Sequence, residues 1–116
     1  MASALTIVID DTHNANDHVT GKITLADPAA LANISIGFVP SKVLINHVTN
    51  VSDYEWNKNM DDGTANLRVT AGDKTLVAAD AISPFAGDAD EAPGFIIGVD
   101  TTLNTAADVL YFTAFR

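Results

Sequence analysis

The amino-terminal segment holds the densest group of side chains able to bind a metal ion: Asp10, Asp11, His13, Asp17 and His18. Carboxylate oxygens and imidazole nitrogens together suit zinc, manganese or another divalent ion. Their spacing matches no metalloenzyme motif, however, and a polar connection between strands uses Asp and Asn for turn geometry in any case. We therefore interpret the segment as a turn and keep a metal-dependent enzyme as a third hypothesis.

Two later acidic groups offer the oxygen ligands that calcium binds. They are residues 88–91 and the set formed by Asp100, Asn104 and Asp108. Neither has the regular oxygen spacing and terminal Glu of an EF-hand loop. Solvated acidic loops are the simpler interpretation, so the sequence predicts no metal site.

Covalent and nucleotide-dependent catalysis have no recognisable motif in the chain. There is no cysteine, which excludes a thiolate nucleophile, a disulfide and a cysteine-ligated metal. No Gly-x-Ser-x-Gly elbow and no glycine-rich phosphate loop occurs. His47 falls inside a predicted strand, where a sheet residue is the simpler interpretation. We therefore expect a protein that is not an enzyme and that has no catalytic or cofactor-binding residues.

Tyr54 and Trp56 are the residues best suited to contact a partner. They are two positions apart in a predicted strand, so both rings lie on the same face. Aromatic rings on an exposed face stack on sugars or fill a protein interface. The structural alternative is that Trp56 fills the core of a small sandwich and Tyr54 flanks it. Both interpretations stay open at the level of sequence.

Composition indicates one globular domain with an acidic surface. The 116 residues are 47% hydrophobic and 18% charged, which supplies enough apolar material for a core. The net charge of -9 opposes binding to nucleic acid and to anionic lipid. The apolar run at residues 5–9 is too short for a signal sequence or a membrane span, so we expect synthesis in the cytosol without export.

Short segments rich in strand-forming residues predict eight to nine strands and no convincing helix. Asp62-Gly63 is a strong turn signal. Residues 79–93 form the least regular part and are predicted to be an exposed loop, whereas residues 27–32 are predicted to be a loop with one helical turn. The predicted strands are residues 5–9, 18–25, 34–38, 43–51, 54–56, 65–70, 74–78, 95–99 and 109–115.

Many short strands without helices are typical of an all-β sandwich, a jelly roll or a barrel. We expect a single-domain β-sandwich of jelly-roll type with short or no helices. Residues 18–116 are expected to form this domain. Residues 1–17 are expected to form a first strand, with an arm that reaches a neighbouring subunit as the alternative.

Several segments between residues 18 and 115 share a pattern with a known group of proteins. They are HVTGKITL at 18–25, GFVP at 37–40 leading into VLIN at 43–46, YEW at 54–56 with MDDGTA at 60–65, and GFIIGVD at 94–100 with DVLYF at 108–112. In these segments the chain resembles small structural proteins of tailed bacteriophages, in particular capsid decoration proteins, which are also called cement proteins.

The resemblance implies a β protein on the outer capsid surface of the virion. Its implied partner is the major capsid protein, whose subunits it bridges, and it is implied to act as a homotrimer without direct contact to nucleic acid or a membrane. The alternative hypothesis is a phage fibre or tail-associated module that binds host glycan through Tyr54 and Trp56.

Overall fold

The structure is a computed structural model that describes residues 6–15, 18–25, 30–49, 51–69, 72, 74–106 and 108–116. Side chains are described from residue 18 onward within these ranges. The described chain is all-β, as predicted, and no helix in it is long and apolar enough to cross a membrane. Its strands are β1 (Thr6–Ala15), β2 (His18–Thr24), β3 (Ala32–Ser35), β4 (Lys42–His47), β5 (Ser52–Asn57), β6 (Thr64–Arg68), β7 (Lys74–Phe85), β8 (Gly94–Ile97) and β9 (Val109–Phe115).

All of these strands belong to one antiparallel sheet in the order β1-β2-β9-β4-β5-β6-β7-β8-β3. Strands β4 to β8 form a meander in which each strand pairs with the next one along the chain. β9 returns from the carboxyl end and lies between β2 and β4, so Phe112 is opposite Gly21 on one side and Ile45 on the other. β9 therefore joins the amino-terminal hairpin to the meander.

The sheet curls around its own core. Phe95 in β8 and Phe112 in β9 are separated by four strands in the sheet order, yet their rings meet edge to face with centroids 5.4 Å apart. In a flat sheet the two strands would lie roughly 24 Å apart, because neighbouring strands are spaced by about 4.8 Å. The chain is thus a single domain built from one curled sheet. Its core contains Ile23, Leu25, Ala32, Ile34, Val43, Ile45, Tyr54, Trp56, Ala65, Ala81, Ile82, Phe95, Ile97, Leu103, Leu110, Phe112 and Ala114.

The alternating pattern correctly identifies the inward positions of β2. Ile23 and Leu25 are buried as the pattern of residues 18–25 predicts, and the outward Thr24 is exposed. The predicted turn at Asp62-Gly63 is also confirmed, with Gly63 at a φ of 84° between β5 and β6. The left-handed backbone there favours glycine, which explains why the turn signal is so specific.

The prediction that the first strand ends at residue 9 is wrong, because β1 continues through the polar segment to Ala15. Its pairing with β2 shifts register between Val8 and Asp11 and again between Asp11 and Ala15. Bulges of this kind let a strand accommodate extra residues while the backbone keeps its partner. Polar side chains do not prevent such pairing, since the hydrogen bonds come from the main chain. Residues 16 and 17 lie outside the described residues.

The prediction of a loop over residues 79–93 is wrong for residues 79–85, which belong to β7. Val77 is opposite Ala65 but Ile82 is opposite Thr64, so the residues between them bulge out of the sheet. Asp80 lies in this bulge with a φ of 62°, a conformation that Asp tolerates better than most residues. Because the bulge interrupts the alternation of residues 79–85, their sequence resembles that of a loop. Of the predicted helical turn at residues 27–32, residues 27–29 lie outside the described residues, residues 30 and 31 have no regular structure, and Ala32 begins β3.

Candidate functional site

Tyr54 and Trp56 lie on the inner face of β5, and each is only 1% exposed. The Tyr54 hydroxyl donates to Thr102 Oγ1 at 3.0 Å, and Trp56 Nε1 donates to the carbonyl oxygen of Asp61 at 3.2 Å. Burial raises the pKa of the Tyr54 hydroxyl above its ordinary value of 10.0, although the hydrogen bond with Thr102 opposes that shift. Neither ring offers an exposed face to a sugar or a partner. Their geometry fits the core interpretation and gives no support to glycan stacking.

His47 and Asp108 form the one close imidazole–carboxylate pair within the described residues. His47 is completely buried, and its Nε2 lies 3.5 Å from Asp108 Oδ2. Burial lowers the pKa of His47, while the charge of Asp108 and backbone hydrogen bonds, including one with Leu103, act in the opposite direction. A general base must reach its substrate, and an imidazole without exposed surface does not. We assign the pair a structural role.

The acidic loop at residues 86–93 uses its carboxylates to fold itself. Asp88 Oδ1 accepts hydrogen bonds from the backbone amides of Asp90 and Glu91 at 2.8 and 2.9 Å. Glu91 Oε2 accepts a hydrogen bond from Asn33 Nδ2 at 2.7 Å, which connects the loop to β3. Asp88 and Glu91 therefore have a structural role, because their carboxylates hold the loop in shape.

The polar connection between β8 and β9 is built in the same way. Asp100 Oδ2 accepts from the Thr102 hydroxyl at 2.6 Å and from the Leu103 amide at 3.0 Å. Asn104 Nδ2 donates to the carbonyl oxygen of Gly98 at 2.8 Å. Across the described residues, no three His, Asp or Glu side chains are grouped to hold a metal ion.

The amino-terminal metal candidates are only partly visible. Asp10, Asp11 and His13 belong to β1, whose side chains are outside the described set, and Asp17 is itself outside the described residues. His18 begins β2, and its ring lies 6.2 Å from that of Phe115 in β9. The metal hypothesis for this segment stays a prediction.

The outward side of the central strands is an accessible surface of the sheet. Outward positions of neighbouring strands are in register and form two rows across β7, β6, β5, β4, β9 and β2. One row runs Leu76, Asn66, Glu55, Leu44, Thr113 and Thr20; the other runs Lys74, Arg68, Asp53, Asn46, Tyr111 and Lys22. These twelve residues, together with Lys42 beside them on β4, are called the outer face below.

The outer face exposes large apolar groups. Tyr111 is 49% exposed and Leu76 is 60% exposed, and Leu44 is also among the exposed large hydrophobic residues. Leu44 and Tyr111 are diagonal neighbours across the β4–β9 pair, close enough for an aromatic ring to cover both positions. A shallow depression of about 400 Å³ opens over this region, and both side chains line it.

The outer face also gathers most of the positive charge of the protein. Lys22, Lys42, Arg68 and Lys74 are four of the six Lys and Arg residues in the chain. Asp53 and Glu55 are its acidic residues among the described side chains, and Glu55 Oε2 is 3.6 Å from Lys42 Nζ. The face therefore has a positive balance in a protein whose net charge is -9.

Sequence reasoning found the strands of this surface but missed the surface itself. The outward position of Tyr111 follows from the alternation of β9, with Leu110 and Phe112 buried on either side. What alternation does not reveal is that β9 lies beside β4, which brings Tyr111 next to Leu44. Pairing between strands so far apart in the chain leaves no local signal.

Comparisons of this chain with protein-family models, with curated proteins and with solved structures found no match. The geometry of the outer face and the sequence resemblance described above are therefore the two grounds for assigning a function.

Proposed function

We propose that the protein is a non-enzymatic capsid decoration protein of a bacteriophage, which binds the outer face of the assembled head and bridges coat subunits. In this proposal its partner is the major capsid protein, it acts as a homotrimer, and its place is the outer surface of the virion. The finer assignment of the fold as a jelly-roll sandwich belongs to the same proposal. The sequence resemblance to tailed-phage structural proteins supports it.

The observation that carries the proposal is the composition of the outer face. Tyr and Arg are enriched in protein interfaces, and Tyr111 and Arg68 lie in the same row of this face. Leu44 beside Tyr111 adds apolar area that water contacts in the isolated chain. Since hydrogen-bonded strands hold the backbone of these residues at fixed spacing, binding needs no ordering of a loop, and the conformational entropy lost is that of the side chains. A rigid, mixed apolar and polar surface is well suited to docking on a protein lattice.

A decoration protein stabilises a shell through linkage. If it binds the assembled lattice and has no affinity for separate coat subunits, every bound copy shifts the equilibrium toward the assembled state. A trimer that touches several coat subunits also gains affinity from effective concentration, because later contacts form within one complex. Modest individual interfaces then suffice to resist internal pressure.

Binding to purified heads tests the proposal. Expanded, mature heads of the parent phage that lack the protein would be mixed with the purified chain and sedimented, with unassembled coat protein as the control. We expect saturable binding to expanded heads and an increase in the temperature at which the heads release their DNA. Absence of the protein from purified virions, or a failure to bind expanded heads, would contradict the proposal.

A further inference from the structure

We propose that the outer face docks on an acidic protein surface, one that places carboxylates around at least one apolar side chain. The inference rests on the proposed function only where it identifies this partner as the coat protein. The chemistry of the contact depends on the outer face alone.

Charge complementarity is the first argument. Lys22, Arg68 and Lys74 lie in one row of the face, and Lys42 lies on β4 beyond Leu44 of the other row. Within the described residues, Lys42 is the one member of this set with a carboxylate within 4 Å. A partner carboxylate opposite Arg68 or Lys74 would add to the attraction of Asp53, which is the cross-strand neighbour of Arg68. Such complementarity raises the association rate and selects against partners of like charge.

The apolar residues of the face make the second argument. Tyr111 stands between Asn46 and Lys22 in its row, with Leu44 diagonally beside it. A partner that supplied only carboxylates would leave these side chains in water. An apolar side chain placed over the depression would cover Tyr111 and Leu44 together, and desolvated aromatic positions are where binding energy concentrates.

A nucleic acid fits this face less well than an acidic protein. Asp53 lies in the same row as Arg68 and Tyr111, and Glu55 lies in the row beside it. These carboxylates would repel a continuous line of phosphates, and the net charge of -9 opposes the approach of any polyanion. A protein surface can place its charges point by point to match such a mixed pattern.

A second copy of this chain is also a poor match. A two-fold contact joins the same surface of both copies, so a face with a positive balance would meet a second face with the same positive balance. The acidic loop at residues 86–93 has carboxylates to offer, but its apolar residues are only Ala and Pro. It lacks a large side chain to cover Tyr111 and Leu44. A different protein, with acidic and apolar groups interspersed, is the occupant that both features favour.

Two variants and two controls test the inference. Arg68→Glu combined with Lys74→Glu reverses two charges of the face, and Tyr111→Ala removes its aromatic ring. Lys58→Glu is the charge control, because Lys58 is exposed in the turn after β5 and is not a member of the outer face. Val99→Ala is the apolar control, since Val99 is exposed beyond the end of β8. Circular dichroism and size-exclusion chromatography would confirm that each variant folds and keeps its oligomeric state.

Two readouts separate this inference from the proposed function. The first is sedimentation with expanded heads. We expect the double charge reversal to weaken binding at least about tenfold and Tyr111→Ala about fivefold or more, while each control changes it less than about twofold. Binding should also weaken as salt is raised.

The second readout is an NMR titration of the free protein with the acidic peptide acetyl-Glu-Glu-Leu-Glu-Glu-Leu-amide. We expect the shifted backbone amides to cluster on β4, β6 and β9 in the wild type and to lose their shifts in the double charge reversal.

Heads that bind every variant equally, or peptide shifts that map elsewhere, would overturn the inference and leave the proposed function intact. Heads that bind no form, with peptide shifts on the outer face, would contradict the function and support the inference. If the variants changed only the oligomeric state, the outer face would be a contact between copies of this chain, and the inference would be overturned.

Discussion

The inner and outer sides of β4, β5 and β9 differ in chemistry although the same backbone carries both. Inward, the strands place Trp56, Ile45 and Phe112 in the buried core. Outward, they place Tyr111 and Leu44 among charged residues in contact with solvent. Folding of the single chain requires the first arrangement and would tolerate many alternatives to the second. The composition of the outward side is therefore the better guide to contacts beyond the monomer.

Replacing Trp56 with Ala should have the largest effect, because it removes the bulkiest side chain of the inner face. We expect the free energy of unfolding to fall by about 3–5 kcal/mol, from lost burial and the cavity left behind. Urea denaturation followed by circular dichroism measures the change. Trp56→Phe is the matched control: it keeps a ring but loses the hydrogen bond to Asp61, so it should cost less. A loss below about 1 kcal/mol for the Ala variant would argue against a rigid inner face.

Gly21→Ala should be the next largest perturbation, because β2 and β9 approach closely at this position. A Cβ atom at residue 21 would lie 2.5 Å from Cε2 of Phe112. The Phe112 ring has little freedom to move away, since the ring of Phe95 packs against it. Overpacking of this kind should lower the free energy of unfolding by about 1–3 kcal/mol.

A double-mutant cycle sharpens this prediction. Phe112→Leu shortens the side chain that the new methyl group meets, so Gly21→Ala should cost less in that background than in the wild type. Thermal unfolding of the four proteins gives the coupling. Equal costs in both backgrounds would mean that the strain arises from the backbone and not from contact with Phe112.

From the sequence, the residues on the inner side of the sheet are easier to predict than the bounds and the pairing of its strands. Alternation identifies buried positions such as Ile23 and Leu25 because residues two apart in a strand share a face. It fails at residues 10–15 and 79–85, where β1 and β7 contain bulges with the polar and turn-forming residues of loops. Bulges break the period on which the prediction depends.

The candidate site was predictable only in part, since it depends on which strands are neighbours. Leu44 and Tyr111 are far apart in the sequence and become adjacent through the pairing of β4 with β9. No local pattern encodes that pairing. Tyr54 and Trp56, which sequence reasoning singled out, share a face as predicted, but that face is the core. The two-residue period of a strand separates its two faces but does not show which face is buried.

Lowering the pH should destabilise the inner face through His47. Because burial lowers its pKa in the folded protein, the unfolded chain takes up a proton more readily once the pH falls below the ordinary value of 6.5. The stabilisation linked to neutral His47 is therefore complete above that pH and is lost as the pH falls toward the folded-state pKa. Attraction to Asp108, 3.5 Å away, limits the loss.

Urea denaturation at intervals from pH 7.5 to 5.5 tests this effect, with His47→Gln as the control. The wild type should lose stability across the interval more steeply than the variant, which has no proton to bind at this position. Parallel pH profiles would show that His47 does not contribute to the dependence. The interval stays above the range in which most carboxylates titrate, which keeps their protonation from dominating the result.

The smallest change in the free energy of unfolding is expected for a substitution on the outer face, which is compared with the same substitution on the inner face. Leu76→Thr on the outer face should change the free energy of unfolding by no more than about 0.5 kcal/mol, because the side chain is 60% exposed and Thr suits a strand. Leu110→Thr, at a fully buried position of β9, should cost several times more, since it buries a hydroxyl and removes apolar volume. Thermal and urea unfolding compare the two. If Leu76→Thr were as costly as Leu110→Thr, the outward leucine would be needed for folding, and its exposure would no longer indicate a partner.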